Sequence, residues 1–163
     1  MPPPPLSHLE RRKIEAGVLI PMIEAFQRAM GKDQANAVAR DVIRQLAKQD
    51  GERWAQTYGS DLEGLQKVSE VWSGGGSLEI EPVKRTGTDL EFNVVRCKYA
   101  EYFQGLGLPE LGYLIHCSRD YAMLDGFSTR MTLRRTQTRM EGASHCDFRF
   151  TLNETQTQVE SKP

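Results

Sequence analysis

The chain has 163 residues, a formal net charge of −1 at pH 7, 39% hydrophobic residues and 26% charged residues. These values are ordinary for a soluble globular domain, and the near-zero charge provides no long-range attraction to nucleic acid or acidic lipid. No apolar run approaches the ~20 residues that cross a bilayer, and residues 1–5 lack the blocks of a signal peptide. The three cysteines are odd in number and show no disulfide framework, so we predict reduced thiols in a cytoplasmic protein.

The first thirty residues predict a long helix. Residues 1–6 form a proline-rich lead that we expect to be mobile. Ser7 opens a sequence typical of a capping box, and Gly31 is a natural helix end. Between them, Gly17 and Pro21 predict a kink. Apolar residues recur at every fourth position, which predicts a helix side that faces the core or a dimer partner. The recurring residues are Ile14, Val18, Met22, Phe26 and Met30.

Two further helices are predicted before residue 74. Asp33 is a candidate cap for the second helix, which we expect to end at Gly51. A short turn carries Trp54 and Tyr58, and Ser60 then begins another capping box that opens the third helix. The predicted buried stripe of the second helix consists of Val38, Val42, Ile43 and Leu46.

The second half of the chain mixes strands and helices. Three consecutive glycines at 74–76 mark the change from helical to strand periodicity. The predicted elements after them are a strand from Leu78, a turn at 86–88, a strand running into Cys97, helices over 98–104 and 109–124, strands over 131–138 and 144–153, and a flexible tail over 154–163. This order predicts an α+β fold in one domain over 7–153, with N-terminal helices packed on an antiparallel sheet and further helices inserted.

A histidine, a cysteine and an aspartate stand side by side in the last predicted strand, as His145, Cys146 and Asp147. Cysteine is intrinsically nucleophilic, an imidazole can activate it, and an aspartate can orient the imidazole. Strand alternation, however, points Cys146 toward the apolar face and the other two toward the opposite face, unless a bulge at Gly142 intervenes. The alternative for Cys146 is a thiol packed in the core, and the alternative for His145 and Asp147 is a polar face exposed to solvent.

The other two cysteines lie near predicted helix ends. Cys97 sits where a strand becomes a helix, and a helix N-terminus stabilises a thiolate. Cys117 falls on an apolar helix stripe, unless a new helix begins at Ser118. Core packing is the alternative for both. Arg119 is a candidate anchor for a substrate carboxylate, with an ion pair or a surface position as the alternative. The other candidate pocket residues are Tyr99, Glu101, Asp120, Thr136 and Thr138.

Five segments form a long motif string at 96–101, 105–112, 117–121, 135–138 and 141–149. In this order and spacing they resemble the family of L-2-amino-thiazoline-4-carboxylic acid hydrolases, over residues 90–150. The resemblance implies an enzyme that adds water at the ring carbon between sulfur and nitrogen, which gives N-carbamoyl-L-cysteine. The ending at 141–148 is also similar to the close of 4-vinyl-reductase-like ligand-binding domains, some of which hold zinc through cysteines.

The first hypothesis is therefore a cofactor-free hydrolase of a small cyclic amidine or related heterocycle. Either Cys97 or Cys146 attacks the ring carbon or lies beside it, while His145 and Asp147 handle protons and Arg119 receives the substrate carboxylate. Cysteine attack predicts that cysteine-to-serine variants fold but lose turnover. If all three single variants keep the full rate, an attacking water replaces the thiol.

The second hypothesis is a small-molecule-binding or sensory module. It would hold zinc through Cys97, Cys117, Cys146 and His145, although no two cysteines have the close spacing of a short zinc motif. A third is a scaffold whose apolar stripes bind partner helices. For partners we expect a small carboxylate substrate and consider a homo-oligomer; we expect neither nucleic acid nor membrane.

Overall fold

The computed structural model describes residues 5–153, so most of the predicted lead and the whole predicted tail lie outside the described residues. The helices are α1 (His8–Met30), α2 (Lys32–Tyr58), α3 (Leu62–Ser73), α4 (Lys98–Gly105), α5 (Pro109–Gly112) and α6 (Arg119–Phe127). The strands are β1 (Leu78–Arg85), β2 (Asp89–Cys97), β3 (Met131–Arg134) and β4 (Cys146–Leu152). Helices precede a sheet that is entirely antiparallel, which confirms the predicted α+β class.

The sheet has the strand order β1-β2-β4-β3. Strands β2 and β4 pair in a register that sets Val94 opposite Cys146 and Phe92 opposite Phe148. Cys146, Phe148 and Phe150 are buried on one face of β4, whereas the residues between them are only half-buried, so the predicted alternation is confirmed. The buried face packs against apolar side chains of α3 and α6 and forms the main core.

Helix α2 runs past its predicted end at Gly51, and Trp54 and Tyr58 are helical rather than part of a turn. Gly51 is buried because α6 crosses it closely: a Cβ here would collide with the carbonyl oxygen of Met123. A Cβ at Gly126 of α6 would in turn collide with the backbone of α2. The two glycines therefore let the helices touch backbone to backbone, where any side chain would hold them apart.

The predicted apolar stripes of α1 and α2 do not face the core. Every member of the α1 stripe from Ile14 to Met30 is exposed, and Ile43 is the buried member of the α2 stripe, while Val38, Val42 and Leu46 are exposed. Helix α1 buries Ala16 and Ile23 instead. The predicted core-facing side was therefore wrong for α1 and for three of the four α2 residues, because the helices turn a narrower side with several small residues toward the rest of the protein.

Several element ends also differ from the predicted ones. The capping box at Ser7 is confirmed, and α1 continues through Pro21. Helix α3 is capped by Asp61 rather than Ser60, since the Asp61 carboxylate accepts the N–H of Gly64 at 2.8 Å. Helix α2 begins after Gly31, without a side-chain cap at Asp33. A π-helical turn, Tyr113–Cys117, joins α5 to α6 and leaves Cys117 just before the new helix.

Strand β3 is shorter than predicted. It ends at Arg134, whereas the sequence predicted a strand to Thr138. The backbone N–H groups of Thr136 and Gln137 donate to the Asp147 carboxylate, both at 2.9 Å, instead of to a neighbouring strand. A side-chain acceptor thus replaces the sheet ladder at this point.

Candidate active site

A cavity of about 80 Å³ lies between the first two helices, α6 and the buried face of the sheet. All three cysteines line it: Cys97 from the end of β2, Cys117 from the π-helical turn and Cys146 from the start of β4. Tyr99 and Asp120, two of the predicted pocket residues, also line it, and so does Arg119. The fold therefore brings six of the predicted site residues to one small space.

The three thiols are held in their neutral form. Cys97 caps α4, and its Sγ accepts the N–H of Ala100 at 3.4 Å, as expected at a helix N-terminus. Burial nevertheless raises the pKa of Cys97 to about 11, and burial also raises the pKa values of Cys117 and Cys146. The N–H of Arg139 donates to the Cys146 Sγ at 3.1 Å. Desolvation thus raises the pKa of Cys97 by more than the helix N-terminus lowers it, and the resting site contains no thiolate.

A cluster of guanidinium groups borders the cavity around Asp50. The Asp50 carboxylate accepts from Arg119 at 2.5 Å, from Arg12 at 3.3 Å and from Arg53. Burial alone would raise the pKa of Asp50, but Arg119 and Arg12 hold it below its usual value. Arg12 also pairs with Glu15 at 2.6 Å. Three guanidinium groups thus face two carboxylates, which leaves one positive charge for an incoming anion.

The glycine contact between α2 and α6 explains this pairing. Asp50 directly precedes Gly51, and Arg119 is the first residue of α6. Because the two helices touch at Gly51, the Asp50 carboxylate reaches the Arg119 guanidinium, which is only 9% exposed. The partner of Arg119 is therefore Asp50 from a distant helix, not its neighbour Asp120.

Asp120 has a different partner. Arg135, only 2% exposed, donates to the Asp120 carboxylate and also to the carbonyl oxygen of Cys117 at 3.0 Å. Burial raises the pKa of Asp120 despite the guanidinium beside it. A carboxyl group in a cavity whose pKa is raised above its ordinary value is suited to exchange protons with a bound molecule.

Two histidines and a tyrosine form the aromatic wall of the cavity. The Tyr99 hydroxyl donates to the carbonyl oxygen of Trp72 at 3.0 Å, so it accepts from the Nδ1–H of His8 at 2.9 Å. This network assigns the tautomer of His8 and leaves its Nε2 without a proton. That Nε2 is buried and has no hydrogen-bond partner among the described residues. His116 stacks on Tyr99 with ring centroids 4.3 Å apart.

Both histidines are neutral at physiological pH. Burial, reinforced by Arg12, lowers the pKa of His8 to about 4. Burial also lowers the pKa of His116 well below its ordinary value. The cavity therefore offers His8 Nε2 as a hydrogen-bond acceptor for an N–H group.

Other predicted site residues lie outside the cavity wall. The Asp147 carboxylate accepts from the Thr136 hydroxyl at 2.6 Å, besides the backbone groups described above. The His145 ring contacts the Gln137 amide at 3.1 Å and the Ser144 hydroxyl at 3.0 Å. These side chains stabilise the segment between β3 and β4. The proton-handling role predicted for His145 and Asp147 therefore lacks support from the geometry.

Thr138 and Glu101 also have contacts away from the cavity. Buried Thr138 caps a 3₁₀ turn by accepting the N–H of Glu141 at 3.2 Å. Glu101 is at the surface and pairs with Arg96 at 2.7 Å. These two residues and Thr136 are not among the residues that line the cavity, and their predicted substrate contacts stay a prediction.

The sequence prediction missed five polar residues of the cavity, which are His8, Arg12, Asp50, His116 and Arg135. An arginine on the apolar face of the predicted strand, beside Met131 and Leu133, was a usable signal for Arg135. His8, Arg12 and Asp50 carried no such signal, since each looks like an ordinary surface residue of a long helix. His116 was hidden because the π-helical turn shifts the helical phase.

The described residues, 5–153, contain neither a cluster of metal-ligating side chains nor a membrane-spanning helix. No group of three or more histidine, cysteine, aspartate or glutamate side chains there is placed to hold a metal ion. The three thiols thus share a cavity without forming a set of metal ligands. Among the helices of these residues, none combines the length and apolarity that a bilayer crossing requires.

Comparison with known protein families gives a match over most of the chain. The model of the family described as L-2-amino-thiazoline-4-carboxylic acid hydrolase matches residues 11–150. The match extends well beyond the motifs of the second half and includes most of α1 and all of α2 and α3, whose side chains form one wall of the cavity. No curated protein matches the chain.

Proposed function

Since the chain belongs to the L-2-amino-thiazoline-4-carboxylic acid hydrolase family, we propose that its cavity opens a small heterocycle by adding water at the C=N carbon of a cyclic amidine or isothiourea. The reaction of 2-aminothiazoline-4-carboxylate to N-carbamoyl-cysteine is the model case. The observation that carries the proposal is the combination, in one cavity, of surplus guanidinium charge, a carboxyl of raised pKa and an unpaired imidazole nitrogen.

The arginine cluster receives the substrate carboxylate. Arg119 and Arg12 share Asp50 with Arg53, so their remaining N–H donors can turn toward a second carboxylate. Guanidinium groups bind carboxylates through parallel hydrogen bonds, and the buried position of Arg119 strengthens such a pair. This arrangement supports the anchor role predicted for Arg119 and adds Arg12 to it.

Asp120 moves the protons. It takes one proton from water as the water oxygen bonds to the ring carbon between sulfur and nitrogen. The C=N electron pair moves to the ring nitrogen, which takes this proton from Asp120. Asp120 then takes the proton of the new hydroxyl group as the carbamoyl C=O forms and the C–S bond breaks, with the electron pair of that bond leaving on sulfur. Asp120 gives its proton to the departing sulfur, so that the product carries a carbamoyl oxygen from water and a free thiol. Arg135 fixes the carboxylate throughout and stabilises its charged form.

His8 selects the nitrogen side of the ring. Its Nε2 is an acceptor without a partner, and a buried acceptor of this kind favours a ligand that presents an N–H group. The exocyclic amino group of a 2-aminothiazoline supplies one. A ring that lacks the amino group would leave Nε2 unpaired and bind more weakly.

Water is the preferred nucleophile. A thiol with a pKa of about 11 is four units above neutral pH, and forming its thiolate there costs about 5 kcal/mol. An attacking water assisted by Asp120 avoids this cost. Cys97 and Cys146 then lie beside the reacting carbon and exclude bulk water from it.

The test is incubation of the purified protein with 2-aminothiazoline-4-carboxylate and mass-spectrometric detection of N-carbamoyl-cysteine. Each of the single variants Cys97→Ser, Cys117→Ser and Cys146→Ser is expected to fold and to keep turnover within about tenfold of wild type, since serine preserves the shape of the wall. Loss of turnover in one folded serine variant alone would identify that cysteine as the nucleophile. If the wild type binds the compound without forming product, the chain is a binding module and the hydrolase proposal fails.

A further inference from the structure

The outer side of α1 and α2 carries an apolar groove. We call it the outer groove; it is lined by every fourth residue of α1 from Ile14 to Phe26, and by Val38, Val42 and Leu46 of α2. Each of these side chains is between 41% and 59% exposed. Gly31 is the single residue between the two helices, and the Gln27 amide of α1 donates to Asn36 of α2 at 2.8 Å. Side chains of both helices therefore line one continuous surface.

The exposed area is large for a free surface. Roughly half of seven large apolar side chains amounts to on the order of 600–700 Å², whereas the largest patch of a typical monomer is about 300–600 Å². A standard protein interface buries about 600–1,000 Å² per partner. The outer groove is thus the size that one side of a stable dimer needs.

We propose that the outer groove is the interface of a homodimer, in which the same groove of a second copy covers it. Residues 154–163 are a poor occupant, because Val159 is their one large apolar residue. Two-helix surfaces pair through a two-fold axis into a four-helix arrangement, in which each apolar row meets its counterpart. A self-complementary interface needs no second protein species.

The outer groove is continuous with the cavity. Its lining ends at Arg12, Asp50, Arg53 and Arg119, the cluster that borders the cavity. Within its own chain α1 buries two of its 23 residues, Ala16 and Ile23, and packs the partly buried Leu19 and Ile20 beside them. A second copy would press α1 onto the protein, and with it the two cavity residues that α1 supplies, one of which is His8.

Sedimentation velocity at micromolar protein concentration tests the proposal. We expect the wild type to have twice the mass of the chain. The variant Val18→Glu/Val42→Glu places one charge on each helix and is expected to have the mass of one chain with an unchanged far-ultraviolet circular dichroism spectrum. The matched control Leu106→Glu changes a side chain of similar exposure, 49%, outside the groove and should stay dimeric.

Two results would overturn the proposal. One is a monomeric wild type under these conditions; the other is a folded Val18→Glu/Val42→Glu variant that remains dimeric. Should the double variant unfold, the milder Val18→Thr/Val42→Thr pair replaces it, and an unchanged dimer dissociation constant for that folded pair would count equally against the groove. The readout is mass, so it is independent of whether the cavity hydrolyses the proposed substrate.

Discussion

The first two helices reverse the usual arrangement of a surface helix: charged side chains lie on their inner side, and exposed apolar side chains lie on their outer side. On the inner side, Arg12 and Asp50 are drawn into a partly buried network with Arg119 of α6. On the outer side, Val18 and Met22 are about half exposed. Amphipathic helices normally direct the apolar stripe inward and the charges to solvent. Charges held inside at a desolvation cost point to chemistry, and apolar rows left outside point to a partner.

A glycine-to-alanine substitution on each side of these helices should give the largest difference between the two sides in the free energy of unfolding. Gly51→Ala forces a Cβ into the Met123 carbonyl and is expected to lower the free energy of unfolding by about 3 kcal/mol or more, because the obstacle is backbone. Gly17→Ala, where nothing lies within 4 Å, is the matched control and should raise it by about 0.5–1 kcal/mol. Urea unfolding measures both; equal effects would contradict the close contact of α2 with α6.

The pH dependence of stability probes the inner side through His8. In the folded protein the pKa of His8 is lowered to about 4, whereas the unfolded imidazole takes a proton near 6.5. Between these values the unfolded state binds more protons, so stability falls as the pH drops from 6.5 to 4, by up to about 3 kcal/mol for this group.

The variant His8→Asn removes that titration. We expect its free energy of unfolding, measured by urea titration at pH 6.5 and pH 4.5, to change less between the two values than that of the wild type. His116, whose pKa is also lowered, keeps its own contribution in both proteins. An identical pH slope for the two proteins would show that His8 is not buried as a neutral ring.

Local patterns were sufficient to predict the order of elements. Strand alternation correctly divided β4 into its buried and polar faces, and the glycine run at 74–76 correctly separated helices from strands. The end of α2 was placed at Gly51 because glycine usually stops a helix. Its actual role, a close crossing with α6, depends on a contact 72 residues away that no local pattern contains.

The cavity was only half predictable for the same reason. The three cysteines, Tyr99, Arg119 and Asp120 belong to segments whose residue types stand out, so the sequence could nominate them. His8 and Asp50 enter the cavity because of how α1 and α2 pack. The sequence pattern assumes that the apolar side of each helix faces the core, and it therefore predicts the opposite orientation for both helices. The His145–Asp147 pair stood out equally in sequence, but Asp147 serves to terminate β3.

Steady-state kinetics of Asp120→Asn with 2-aminothiazoline-4-carboxylate test the central claim most directly. Asparagine keeps an acceptor for Arg135 but cannot exchange the proton, so kcat should fall by about 10²-fold or more while the circular dichroism spectrum stays unchanged. The control Asp125→Asn changes an exposed carboxylate on the same helix, outside the cavity wall, and should stay within about twofold of wild type. A folded Asp120→Asn variant with wild-type kcat would contradict the account.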